Sequence, residues 1–280
     1  MRNRKEKTTD FKPQNRPDNR LKQYFDIFSH RFLEIMKISL LEAIFAMPLL
    51  ATLILAYAFI RNASNTDSVF TIFLIQACSF VVTIPILYVG LVGVFTCFKK
   101  IAFADNEYTS SAFFYALKSD WYRGLLVGFI QGLSMGLCLM GTFFFMIYPG
   151  EMVAVMRGLG FAASIIQLVI ITICSYYSLG QIVCYNNKMI MVFKNSFLMM
   201  MMKFPTNLLF IIIHPGIYIV LCSIMEITMY VGVVLFLVFS GVTYLIWSLA
   251  TISAFDKFIN KQNYPDIYRK GLYNKEESNQ

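Results

Sequence analysis

Six apolar runs restrict what this chain can fold into more than any other feature: 38–60, 69–98, 124–148, 159–185, 207–225 and 228–252. Each is near or above the roughly 20 residues that cross a bilayer. Lipid offers no water to backbone N–H and C=O groups, so runs of this length must satisfy themselves as helices. The last two are separated only by Glu226 and Ile227. As one helix, the stretch between Lys203 and Lys257 would reach about 80 Å at about 1.5 Å per residue, so a hairpin is expected there. Composition agrees, with 14% charged residues where a soluble domain carries about 25%. The expected fold is all-α: a polytopic transmembrane bundle of six spans over 21–256, with a disordered basic tail at 1–20 and a second tail at 257–280.

The formal net charge of +8 raises the question of a nucleic-acid partner, and its distribution answers it. Lys and Arg number ten in 1–37, four in 99–123, three in 186–203 and five in 253–280, which is 22 of the 24. Only Arg61 and Arg157 fall on the other side. This is the asymmetry that keeps basic loops in the cytoplasm. Both termini are therefore expected in the cytoplasm, with the bilayer and not nucleic acid as the partner. The first apolar run is too long for the core of a removable leader and is expected to act as a signal anchor.

Three amphipathic stretches precede the inward-starting spans. Leu21, Tyr24, Phe25, Phe28, Phe32 and Ile35 lead into the first, and Phe113, Leu117 and Trp121 into the third. Ile190, Phe193, Phe197 and Met201 lead into the fifth. Apolar residues at helical spacing beside Lys and Arg suit interfacial helices on the cytoplasmic side. The chain then reads as three copies of interfacial helix, span, outer turn and span, or simply as connectors that became amphipathic near lipid.

Chemistry is sparsely represented. No G-x-x-x-x-G-K-[ST], H-E-x-x-H or G-x-S-x-G motif occurs, so nucleotide hydrolysis, zinc proteolysis and a hydrolase elbow have no support. No enzyme activity, catalytic residue, cofactor or metal site is expected. Cys78, Cys97, Cys138, Cys174, Cys184 and Cys222 all fall within spans without C-x-x-C spacing, and read as reduced interior residues. Gly124, Gly128, Gly132 and Gly136 form a ridge at every fourth position, a signal for close helix approach.

The candidate polar and kink positions within spans are Glu42, Pro48, Pro85, His214 and Pro215. Pro48 should kink the first span and free carbonyls near Ile44. His214, ahead of Pro215 and Gly216, could bond a neighbouring helix or meet a polar substrate at a kink. Glu42 lies four residues into its apolar run, about 6 Å below the edge at about 1.5 Å per residue. Its helical neighbours Ile38, Ser39, Phe45 and Ala46 offer no cation. Water, a headgroup, a proton or a basic group such as Arg123 or Lys203 is left as its expected partner, in a bond that holds the first span to the bundle.

The segments FDIFSHRFLEIMKISLLEAIFAMP (25–48) and TIPILYVGLVGVFTCFKKIAFADNEYTSSAFFYALKSDWYRGLL (83–126) resemble the YesL family, bacterial integral membrane proteins in a domain family of unknown function. Pro48, Thr83, Pro85, Phe113, Phe114, Lys118 and Arg123 match its layout, and Ser39 stands where members often carry Asn. The resemblance covers most of 22–255. It implies a setting: relatives tend to be encoded beside sugar-uptake ABC transporters and polysaccharide-degrading enzymes. The expected function is a membrane component connected with carbohydrate uptake, either an accessory to a sugar ABC transporter permease or a small permease. A self-contained solute transporter and a polytopic membrane enzyme are the rival readings.

Overall fold

A computed structural model of the protein describes residues 16–105, 109–147, 150, 152–209, 211 and 226–273, the side chains of 226–239 excepted. Its helices are α1 (Arg20–His30), α2 (Phe32–Arg61), α3 (Thr66–Ala102), α4 (Thr109–Thr142), α5 (Ala154–Cys184), α6 (Met189–Met202) and α7 (Glu226–Phe255). No strand occurs among the described residues. Five helical segments are long and apolar enough to cross a membrane: Phe32–Arg61, Thr66–Ala102, Thr109–Ile147, Ala154–Cys184 and Ser240–Asn263. The expected span at 207–225 lies outside the described residues from 212 onward, as do His214, Pro215 and Cys222.

Local chemistry marks the boundaries. The Asn19 side chain accepts from the Lys22 N–H at 2.8 Å and caps α1, and Asn65 caps α3 through the Ser68 N–H at 2.8 Å. Such caps satisfy donors that a helix start leaves without an intrahelical partner. Arg31 breaks the register between α1 and α2: its N–H closes α1 on Ile27, while its carbonyl accepts from Glu34 and Ile35. After α3 the chain turns through Ala104 at φ 56°.

α3 is the centre of the bundle. In its most apolar window 72% of residues are buried, against 11% in α2 and in α5. Its largest interface is with α4, and the glycine ridge explains why. A Cβ on Gly128 would lie 2.6 Å from the Pro85 Cα, one on Gly132 2.4 Å from the Phe80 carbonyl oxygen, and one on Gly124 2.9 Å from the Tyr88 carbonyl oxygen. Only hydrogen fits between these two backbones. Around this pair, Tyr176 of α5 stacks between Phe95 of α3, at 6.4 Å between centroids, and Trp247 of α7, at 4.5 Å.

The polarity of the bundle is inverted relative to a soluble protein. On α2 the buried face carries Ser39 and Glu42, whereas Leu40, Ile44 and Met47 are 58%, 65% and 58% exposed. Continuous apolar surface of this kind demands a nonaqueous surrounding. The protein is a helical bundle suited to embedding in a membrane.

Several sequence expectations change. The helices outrun the apolar runs at most ends, because turns near the ends can be helical without being apolar; α3 alone measures about 55 Å at about 1.5 Å per residue. Pro48 and Pro85 both lie within continuous helices, α2 and α3, which is compatible with the kink expected at Pro48. The three amphipathic approaches do not share one conformation. Leu21, Tyr24, Phe25 and Phe28 sit on the separate α1, and α6 is likewise a separate helix. Phe113, Leu117 and Trp121, by contrast, lie on the first turns of an unbroken α4. There Phe113 is buried, because α3 turns Gly93 toward its ring.

Candidate functional site

Ser39 and Glu42 are three residues apart and so share one face of α2. That face meets α7 at Ser240 and Gly241. The Ser240 hydroxyl donates to Glu42 Oε2 at 2.6 Å, and the Gly241 N–H donates to Ser39 Oγ at 2.9 Å. Ser39 Oγ in turn donates to the Ile35 carbonyl at 3.1 Å. A Cβ on Gly241 would fall 2.4 Å from Ser39 Oγ and 2.9 Å from the Ile35 oxygen, so the seam requires glycine there. Glu42 is fully buried, and its second oxygen, Oε1, has no hydrogen-bond partner.

Glu42 thus makes an interhelical hydrogen bond to a hydroxyl of α7, while the two basic groups among its expected partners lie in other contacts. Arg123 pairs instead with Asp120 at 3.2 Å and donates to Asn186 at 3.0 Å. The Lys203 ammonium sits 6.0 Å from the Phe258 ring. Glu42 stands ten residues along α2, which begins at Phe32 and includes Glu34 and Lys37 before the apolar run. A buried carboxyl in an apolar helix, with one oxygen unmatched, can hold a proton or accept a hydrogen bond from a polar solute. Intramembrane acids of this kind mark solute and proton pathways more often than they mark packing.

A polar ladder runs through the neighbouring helices. Ser175 of α5 donates to Gln131 Oε1 of α4 at 3.1 Å, and Gln131 Nε2 donates to Thr172 Oγ1 at 2.8 Å. One turn away, Gln167 donates to Ser134 at 3.1 Å. Gln181 and Ser178 of α5 both donate to Ser196 of α6, each at 3.0 Å. Tyr88 is hydrogen-bonded to Ser175, and Tyr176, the next residue, lies within electrostatic reach of Glu42. Gln131, Gln167 and Gln181 thus bond helix to helix. Gln76 Nε2 is buried without a partner.

A second polar cluster closes one end of the bundle. Arg20 of α1 meets Asp256 at 2.9 Å through Nη2 and donates to Gln23 Oε1 at 2.8 Å through Nη1. Gln23 Nε2 reaches the Ala102 carbonyl at the end of α3 at 2.7 Å. The chain beyond α7 winds into a π-helical turn, Asp256–Asn260. There Asn260 donates to Asp256 Oδ1 at 2.8 Å, and the Tyr185 hydroxyl bonds to Asn260. Lys99 donates to the Val183 carbonyl at 2.8 Å, and the Tyr273 N–H to the Pro17 carbonyl at 3.1 Å. Burial pulls the Arg20 guanidinium below its ordinary pKa, with Asp256 acting in the opposite sense. These bonds gather 17–23, the end of α3 at 99–102, 183–185 and 256–273 at a single end.

Among the sequence-derived candidates, then, Glu42 reaches a polar site; Pro85 serves helix packing; Pro48 lies in α2 six residues beyond Glu42. Ser240, Gly241 and Asp256 were missed. A serine-glycine pair inside an apolar run was the available signal for the first two. Among the described residues no group of three or more His, Cys, Asp or Glu is placed to hold a metal, and Cys78, Cys97, Cys138, Cys174 and Cys184 are free thiols. Comparison with protein-family models, curated proteins and solved structures returns no match.

Proposed function

We propose that this chain is a multi-pass protein of a bacterial cytoplasmic membrane, with six spans and both termini in the cytoplasm. It acts as a permease-like component associated with carbohydrate uptake and is not an enzyme. Its α1 and α6 lie at the cytoplasmic interface. The observation that carries the permease part is Glu42, a buried carboxyl at the α2–α7 seam with one oxygen unmatched. The carbohydrate part rests on the resemblance of 25–48 and 83–126 to the YesL family. A sugar ABC transporter permease is the partner that reading implies.

Orientation is tested by single cysteines in a background lacking the native six. Cysteines at Asn65 and Gly150 should react with an impermeant maleimide added to intact cells. Cysteines at Asn195 and Gln262 should react only after lysis. Labelling of Gln262 in intact cells would reverse the orientation.

The function is tested by affinity capture in mild detergent together with sugar uptake in a strain lacking the chromosomal copy. Wild type should bring a sugar ABC permease with it and restore uptake. Glu42→Gln keeps a polar group for Ser240 and removes the ionisable one. It should bring the permease down equally and reduce uptake at least tenfold. Full uptake by Glu42→Gln removes the permease role from this carboxyl, and uptake unchanged by deletion removes the carbohydrate reading altogether.

A further inference from the structure

Beside the basic end of the bundle, three helical faces and one tyrosine enclose a cavity of about 270 Å³. Ile246, Leu249, Ala250 and Ser253 of α7 fall at i, i+3, i+4 and i+7, a single stripe, about 10 Å long at about 1.5 Å per residue. Arg20, Leu21, Tyr24 and Phe25 give the matching face of α1, and Lys203, together with Thr206 and Asn207 of the helical segment 204–209 that follows α6, gives the third. Tyr177 of α5 closes the floor, its hydroxyl donating to Asn207 at 3.0 Å.

The lining of the cavity is mostly apolar, and its polar side chains are Arg20, Tyr177, Lys203, Thr206, Asn207 and Ser253. No carboxylate lines it. Lys203, which lines it, shares the Phe258 ring with a second ammonium group, Lys257; the two lie 6.0 Å and 5.3 Å from the ring centre. The carboxylate nearest in sequence, Asp256, is committed to Arg20 at 2.9 Å. Leu21 and Phe25 on the rim are 69% and 61% exposed.

From this geometry we infer that the groove between α1, α7 and the helical segment 204–209 seats an acidic phospholipid drawn from the surrounding bilayer. One acyl chain lies along the Ile246–Ser253 stripe. The phosphate rests between Lys203 and Lys257, with the Thr206 and Ser253 hydroxyls in the same groove. Charge selects the occupant, since two cations without a carboxylate favour an anionic over a zwitterionic headgroup. Shape selects a chain, since an inorganic phosphate would leave the apolar stripe empty. The site stands whether or not the protein takes part in sugar uptake.

The test uses the full chain, purified in mild detergent and exchanged into an equimolar mixture of phosphatidylglycerol and phosphatidylcholine of matched chains. Native mass spectrometry then counts what stays bound. Wild type should retain phosphatidylglycerol preferentially. Lys203→Gln and Lys257→Gln should each reduce that preference about fivefold, the ratio that about 1 kcal/mol per surface cation implies. Ala250→Trp, which fills the stripe and leaves both lysines, should lose the tightly held lipid while keeping the wild-type melting temperature. An Ala250→Trp protein that no longer melts as wild type is replaced by Ala250→Leu under the same criterion. Equal retention of the two lipids by wild type, or a preference that survives the loss of both lysines, overturns the proposal. So does undiminished retention when the stripe is filled, because the lipid would then lie on the surface alone.

Discussion

Gly132→Val should abolish the stable bundle, or lower its detergent melting temperature more than any other single change in α4. The first added carbon already meets the Phe80 carbonyl oxygen at 2.4 Å and its carbon at 3.1 Å. Those atoms belong to a helix backbone, which cannot swing aside as a side chain does. Relief requires α3 and α4 to separate over the whole ridge, where Gly124 and Gly128 are in equally close contact. Overpacking a tight interior costs about 1–3 kcal/mol and occasionally more; with backbone on both sides the top of that range or beyond is expected. Gly158→Ala provides the control, since nothing lies within 4 Å of its added carbon. There the exchange should be neutral or gain up to about 1 kcal/mol from helix propensity. A Gly132→Val protein that melts like wild type would show that the ridge does not hold these helices together.

The second large effect is expected at the buried ion pair. Asp256→Ala leaves the Arg20 guanidinium without its countercharge, although Arg20 is only 6% exposed, and strips the acceptor from Asn260 Nδ2 and the Arg269 N–H. Breaking one side of a buried pair costs about 3–5 kcal/mol, chiefly because the surviving charge remains desolvated. The same principle makes a sharper prediction for the double variant. Arg20→Met with Asp256→Leu removes both charges and refills the space, so it should be more stable than Asp256→Ala despite carrying one more substitution. Urea or thermal unfolding in detergent measures all three. A double variant weaker than the single would mean that the cluster acts through its hydrogen bonds and not its charge. Lys22→Ala gives the contrast: its bond to Asp18 joins side chains 64% and 60% exposed, and its loss should stay within about 1 kcal/mol.

The two outlying basic residues can be placed in the fold. Sequence separates Arg61 and Arg157 from the remaining 22 basic residues. In the fold, Arg61 ends α2 and Arg157 begins α5, away from the cluster that joins Arg20, Ala102, Tyr185 and Asp256.

The sequence by itself determined the helical class, the apolar segments and the glycine ridge. Each of these is local: lipid forces a long apolar run into a helix, and glycines four apart must share one face. Tertiary structure alone decided what each buried polar group touches. Glu42 meets Ser240 across 198 residues, and Arg20 meets Asp256 across 236. A polar side chain facing the interior of an apolar bundle leaves no periodic mark on a sequence that is apolar on every side. The start of α2 was hidden as well, since it lies at Phe32, six residues before the apolar run. A helix boundary is set by hydrogen bonds, here those around Arg31, and hydropathy does not record them.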